Sequence, residues 1–291
     1  MNLVLNRAKK IALITILGAA LLLTSQVLAE SEPTAGAAAQ FAGIDFVWCP
    51  PGAFNMGAKD TTGVLAERFG GIEEWYAQER PQLPVDIKKG FWISKNEISK
   101  EQWVRILSMI PPDGSTTEGE GPPMPSDSDN ALPMSGASWN DAQLFLKAIN
   151  AMNEGVFRLP KEAEWEYACR AGTQSDFFFE GSAETLKEYA WWAGPSRASG
   201  EDSPQPGGAL KPNPWGLFDM LGNVWEWCDD PYQHYSPPAK PSEEVAAFNR
   251  YRVVRGGAFS STIQDVRVSS RRSIRAELRH PSVGLRLVRD P

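Results

Sequence analysis

The sequence predicts a single irregular, loop-rich α+β domain behind an export leader, and three observations predict it. Hydrophobic residues at 42% against 22% charged are enough for a sizeable core. Eleven Trp, 23 Pro and 25 Gly favour turns and aromatic packing over a helical bundle. Helical and strand-like segments do not alternate regularly, which disfavours a parallel α/β sheet. No repeat at a solenoid or propeller period is present.

The leader comes first. Arg7, Lys9 and Lys10 precede an apolar run from Ile11 to Leu23. Val27-Leu28-Ala29 then has the small-x-small pattern of a signal-peptidase site, so cleavage is expected between Ala29 and Glu30. The run is short against the roughly 20 residues of a membrane span. An uncleaved anchor is the alternative. Nothing later is apolar enough to cross a bilayer, so the expected location is the periplasm, with no membrane span after cleavage. Residues 1–29 are thus a signal peptide, 30–40 an Ala/Ser/Thr/Pro-rich flexible lead-in, and 41–291 the domain.

Along the domain, Asp45-Phe46-Val47-Trp48 and Phe54-Asn55-Met56-Gly57, separated by Pro50-Pro51-Gly52, read as a hairpin. Phe91 to Ser94 reads as a strand. Ser99-Lys100-Glu101-Gln102 is a capping box opening a short helix with Trp103, Ile106 and Leu107 inward. Pro111 to Pro133 lacks periodicity and reads as an acidic surface insertion. Ser138 caps a second helix, where Trp139, Ala142, Phe145, Leu146, Ile149 and Met152 recur at helical spacing and face the core. Val156 to Leu159 is a short strand, and Pro160 suits the first position of the next helix. Beyond Gly172 the chain reads as loop until Tyr251. Tyr251 to Phe259, Val266 to Ser270 and Val283 to Val288 read as closing strands.

The net charge of −7 argues against nucleic acid as the partner, because phosphate binding needs a basic face. Ten arginines nevertheless crowd between Arg250 and Arg289. They either pair with acidic loops or form a pocket for an anionic group. Cys49, Cys169 and Cys228 form no C-x-x-C pair and sit among Trp, Tyr or Pro, as buried structural cysteines do. There is no phosphate loop, Rossmann fingerprint, H-E-x-x-H or G-x-S-x-G, and His234 and His280 are too few for a three-histidine metal site. The segment from Gly216 to Cys228 is richer. Asp219, Glu226 and carbonyls at a Gly222 turn offer hard oxygens of the kind calcium prefers. The same residues also suit a hydrogen-bonded turn.

Several segments resemble the formylglycine-generating enzyme/sulfatase-modifying factor family. They are Phe46-Val47-Trp48-Cys49-Pro50-Pro51-Gly52-Ala53-Phe54-Asn55-Met56-Gly57, then Arg158-Leu159-Pro160-Lys161-Glu162-Ala163-Glu164-Trp165-Glu166-Tyr167. Gly222-Asn223-Val224-Trp225-Glu226-Trp227, Arg255-Gly256-Gly257-Ala258-Phe259 and Gly284-Leu285-Arg286 follow in the family's order. The resemblance implies a C-type-lectin-like fold. It also implies a calcium held by the side chains of Asp219 and Glu226 and the carbonyls of Gly222 and Val224. A second calcium site is not expected, because Tyr189 to Trp192 holds no Asn.

The resemblance breaks at the active site. The family binds copper(I) through two cysteines, and their positions here fall on Ser261 and near Val266. Soft copper(I) requires thiolate-type donors, so no copper is expected. The family's pocket arginine matches Arg271, and Trp225 is kept, so Trp225, Arg271 and Ser261 are the expected cleft for a peptide or protein partner in the periplasm. Whether the chain is an enzyme stays open. An accessory binding factor and a non-copper oxidase similar to the family's pyoverdine-maturation enzyme both fit, and a cysteine-to-formylglycine oxidase fits least.

Overall fold

A five-stranded antiparallel sheet joins the two ends of the domain to strands from its middle. Its strands are β1 (Ala38–Phe41), β2 (Ile44–Cys49), β5 (Phe91–Ser94), β11 (Val288–Arg289) and β6 (Phe157–Arg158), in that spatial order. The computed structural model describes residues 32–109, 121–125, 130–194, 202–235 and 250–291, and Pro33–Pro291 form one compact unit. The expected leader and much of the expected acidic insertion lie outside the described residues. Part of the expected lead-in is strand: Ala38–Phe41 pairs with Ile44–Val47 and belongs to the sheet.

A second sheet runs β10 (Val283–Gly284), β7 (Trp225–Pro231), β8 (Tyr251–Arg255) and β9 (Arg271–Arg275). A small third sheet joins β3 (Gly52–Met56) to β4 (Leu83–Ile87). The hairpin expected from β2 into β3 therefore does not form. Pro50 and Pro51 offer no N–H to a ladder, and the chain leaves the first sheet there and enters the third. Val266 to Ser270, expected as a strand, precedes β9 instead. Of the stretch from Val283 to Val288, only its two ends are strand, and they belong to different sheets.

Two apolar clusters fill the space around the sheets. Ile44 and Phe46 of β2 join one cluster, Val47 and Cys49 the other, so β2 is covered on both faces. The first of these clusters is closed by α2 (Lys100–Leu107) and α3 (Trp139–Asn150), whose Trp103 and Phe145 rings stack at 4.7 Å and 7°. Such a contact contributes about 0.5–1.5 kcal/mol beyond area burial. The first opens on the expected capping box, Ser99 with Gln102, and the second on the expected Ser138 cap, which forms a box with Asp141. The other cluster surrounds α4 (Glu162–Arg170), with Trp165 at its centre. The remaining helical segments are α1 (Thr62–Phe69), a 3-10 stretch at Glu73–Glu79, and α5 (Ala183–Leu186).

The arginine run is built into this core. Arg255, Arg267, Arg271 and Arg286 are fully buried, and each faces a carboxylate: Glu166, Glu79, Glu162 and Glu226 respectively. Arg279 pairs with Asp141 at 2.8 Å and Arg272 with Asp265 at 2.7 Å. The four buried arginines act as counter-ions that let acidic side chains be buried, and Arg272 and Arg279 are paired nearer the surface, so these six do not form an open anion pocket.

Candidate functional site

β7 organises the site, because it lies between the two clusters and its alternate residues face opposite ways. Trp225 and Trp227 enter the cluster of α2 and α3, while Cys228 enters that of α4. Glu226 faces α4 as well, where Trp165 donates its Nε1–H to Oε2 at 2.6 Å. Across the sheet Glu226 pairs with Arg255, and Arg255 with Arg271. This row of charged residues meets Glu162, Trp165 and Glu166 of α4.

Arg271 consequently lies on the face opposite Trp225. Its Nε and Nη2 donate to Glu162 at 2.6 and 2.7 Å, and its Nη1 donates to the carbonyls of Gln78 and Gln233. Tyr232 and Tyr235 cover the guanidinium at 4.7 and 4.2 Å. The structure thus does not bring the expected cleft residues Trp225 and Arg271 together. Trp225 is linked instead through Ser282 to Ser260, the residue before Ser261. The Trp225 N–H donates to the Ser282 carbonyl at 2.8 Å, and the Ser282 and Ser260 hydroxyls meet at 3.3 Å. Ser260 and Ser282 escaped the sequence reading, since lone serines carry no pattern.

At the expected copper positions, Ser261 Oγ accepts the Ala258 N–H at 3.0 Å, so the hydroxyl closes the turn after Gly256-Gly257. Val266 is fully buried beneath that turn. A Cβ on Gly257 would come 2.9 Å from Val266 Cγ2, and Gly257 has φ +81°, so only glycine fits there. Cys49, Cys169 and Cys228 are buried, unpaired thiols, and burial pushes all three up from the ordinary thiol range. Such thiols are poor thiolates and poor soft-metal donors.

The polar centre of the site is a carboxylate cluster held by Arg286. Its Nε and Nη2 grip Glu226 at 2.6 and 2.7 Å, Nη1 donates to the Ser94 carbonyl, and Nη2 also donates to the Phe218 carbonyl. Glu97 accepts the Asn223 amide at 2.6 Å and the Val224 N–H at 3.1 Å. Asp219 Oδ2 accepts the Gly208 N–H at 2.7 Å, while Asp219 Oδ1 is buried with no partner. Asn96 Oδ1, likewise without a partner, lies 3.2 Å from where a Gly208 Cβ would stand. Burial, then the charges of Asp219 and Glu226, push Glu97 well above the usual carboxylate range. Burial pushes Asp219 up to about 6.

These donors answer the calcium expectation unevenly. Asp219 fits, since a buried carboxylate oxygen without a partner is a hard donor in want of a cation. Gly222 and Val224 belong to the same tight turn. At Gly222 φ is +81° and a Cβ would lie 2.1 Å from the Trp191 carbonyl oxygen, so the turn admits no side chain there. Glu226 has another occupation: both of its oxygens serve Arg286 and Trp165. Glu97, the second carboxylate of the turn, accepts one N–H on each oxygen but grips no guanidinium, and the sequence reading missed it because it lies 126 residues from Asn223. Among the described residues, no three His, Cys, Asp or Glu side chains converge to hold a metal. Backbone carbonyls must therefore supply most of any coordination shell.

The profile of the sulfatase-modifying factor enzyme 1-like (FGE-sulfatase) domain matches residues 31–291. The chain belongs to that family. Among relatives of this FGE-sulfatase chain, a chaperone protein LppX of Paenibacillus barcinonensis is 28% identical over 245 residues, covering 68% of this chain and 80% of the relative. A formylglycine-generating enzyme of Streptomyces coelicolor is 31% identical over 245 residues, covering 77% of this chain and 70% of the relative. The solved structure of PvdO from Pseudomonas aeruginosa superposes with a TM-score of 0.69 at 23% identity, covering 89% of this chain and 100% of PvdO. That likeness shows the FGE-type fold and bears out the irregular α+β expectation.

Proposed function

We propose that this FGE-sulfatase chain is an accessory factor that binds a peptide or protein and has no copper-dependent oxidase activity. Ser261 carries the proposal: at the first copper position its hydroxyl is tied to the Ala258 N–H, and Val266 near the second is sealed in the core. Neither offers the soft donor that copper(I) needs. The likeness to a protein named a chaperone supports a binding role. The test is to load the purified protein with copper(I) under reducing conditions and add a Cys-x-Pro-x-Arg peptide. No loss of peptide mass from thiol-to-aldehyde conversion is expected. Stoichiometric copper binding with turnover sinks the proposal.

Two companion proposals complete the reading. One is a calcium ion held by Asp219, with Glu97 as the second carboxylate and Glu226 left to Arg286. When bound it would supply positive charge to a buried acidic turn, fixing Asp219 to Val224 and the start of β7. The other is export to the periplasm. For material expressed with its own leader, intact-mass measurement is expected to give a chain beginning at Glu30. Retention of residues 1–29 in a membrane fraction would instead make it an anchored protein.

A further inference from the structure

The connection between β3 and β4 has two faces of opposite character. Inward, Leu65, Phe69 and Tyr76 are buried. The Tyr76 hydroxyl donates to the Gly70 carbonyl at 2.6 Å, and Glu79 accepts Arg267 Nη1 at 2.9 Å and the Ser269 hydroxyl at 2.7 Å. Arg267 also covers the Phe69 and Tyr76 rings at 5.1 and 4.9 Å. The segment is thus pinned from behind. Its outward face is bare of apolar cover: Ile72 is 54% exposed, Trp75 45% and Val64 40%. The first turns of α1 and of the 3-10 stretch lie side by side, since the Thr62 hydroxyl donates to Glu73 at 2.8 Å.

Two features set this face apart from scattered surface apolar residues, which are ordinary. First, Trp75 is exposed yet packs against Gly71. A Cβ on Gly71, where φ is +82°, would come 2.4 Å from Trp75 Cε3, so the indole takes the space a side chain would fill. Second, carboxylates without a cationic partner gather on this segment. Glu67, Glu73 and Glu74 have no cationic partner among the described residues. Arg68 is the one cation between residues 61 and 79, and it is paired with Asp60 at 2.8 Å and with Asp176.

We propose that this face docks a basic segment of another protein, one that sets an arginine or lysine beside an apolar side chain. The cation lies over the Trp75 ring, where the ring quadrupole attracts it, with Glu73 and Glu74 beside it. The apolar neighbour covers Ile72. Tryptophan is enriched among interface hot spots, and packing against Gly71 limits the freedom Trp75 has to lose on binding. The acidic surround speeds encounter with a basic partner and repels an anionic lipid surface. This surface shares no residue with the Trp225 and Ser261 neighbourhood, and the proposal stands whether or not that neighbourhood binds anything.

The test selects random dodecapeptides displayed on phage against the folded protein, then measures the enriched peptides by fluorescence anisotropy. Peptides with Arg or Lys next to an apolar residue are expected. Their affinity should fall at least about tenfold in Trp75→Ala and in the Glu73→Lys/Glu74→Lys variant, with the thermal melts of both variants close to the parent's. Ser261→Ala should bind them as the parent does. Among peptide results, any of four overturns the proposal: no enrichment, enrichment of acidic peptides, binding that survives both surface variants, or binding lost only in Ser261→Ala. Binding to phosphatidylglycerol vesicles that disappears in Trp75→Ala would overturn it in favour of a membrane surface.

Discussion

Arg286→Met is expected to destabilise the protein by about 3–5 kcal/mol, the cost of breaking a buried ion pair and leaving one side uncompensated. For a chain of this size that lowers the melting temperature by roughly 6–20 °C. The loss is large because the guanidinium is the counter-charge at Glu226 and also bonds the Ser94 and Phe218 carbonyls. Without it Glu97, Asp219 and Glu226 remain buried together, and Glu97 is already pushed up by the other two. Glu226→Gln should also destabilise, because it leaves Arg286 charged in the core. The double variant should lose less than the sum of the two single ones, since it removes both charges. Calorimetric melts of the four proteins decide the matter. Additive losses, or an Arg286→Met melt within a degree or two of the parent's, would show that the cluster is solvated.

Millimolar calcium should raise the melting temperature of the parent, and excess chelator should remove the gain. Binding to the native state alone contributes about 2.7 kcal/mol at a hundred times the dissociation constant, or roughly 5–10 °C here. Asp219→Ala should abolish the shift by taking away the oxygen without a partner, and Glu97→Gln should shrink it. Glu226→Gln should melt lower in both conditions yet keep the calcium increment, because Glu226 serves Arg286. Overlaying curves with calcium and with chelator would reduce the turn to a hydrogen-bonded loop. An increment lost in Glu226→Gln but kept in Glu97→Gln would restore the ligand set implied by the family resemblance.

What could be seen beforehand depended on whether its cause was local. α2 and α3 were legible because Ser99 with Gln102 and Ser138 with Asp141 mark their starts within four residues. β7 was not, because the alternation of Trp225, Glu226 and Trp227 stops after three residues, and Trp225 to Cys228 are buried on both faces, Glu226 among them. β9 was displaced for a related reason. Arg271 and Arg272 open it, and charged residues read as strand only when their partners on α4 and at Asp265 are known. The site divides in the same way. Asp219 stood out through its motif, whereas Glu97 reaches the turn from the far side of the chain. The facing of Arg271 away from Trp225 depends on strand register, which no local pattern states.

The row Glu226, Arg255 and Arg271 gives α4 and the strands beneath it a shared reading frame. Sliding α4 by one residue would swing Glu162 and Glu166 by about 100° and leave two guanidiniums in the core without a counter-charge. Slipping β8 by one residue would turn Arg255 from α4 into the apolar cluster of Trp227 and Val254. Apolar side chains tolerate small misalignments, because one methyl group packs much like another. Ions do not, and a compact state out of frame fails at several charges together. In a chain with short strands and long loops, proofreading of the alignment therefore falls to electrostatics as much as to shape.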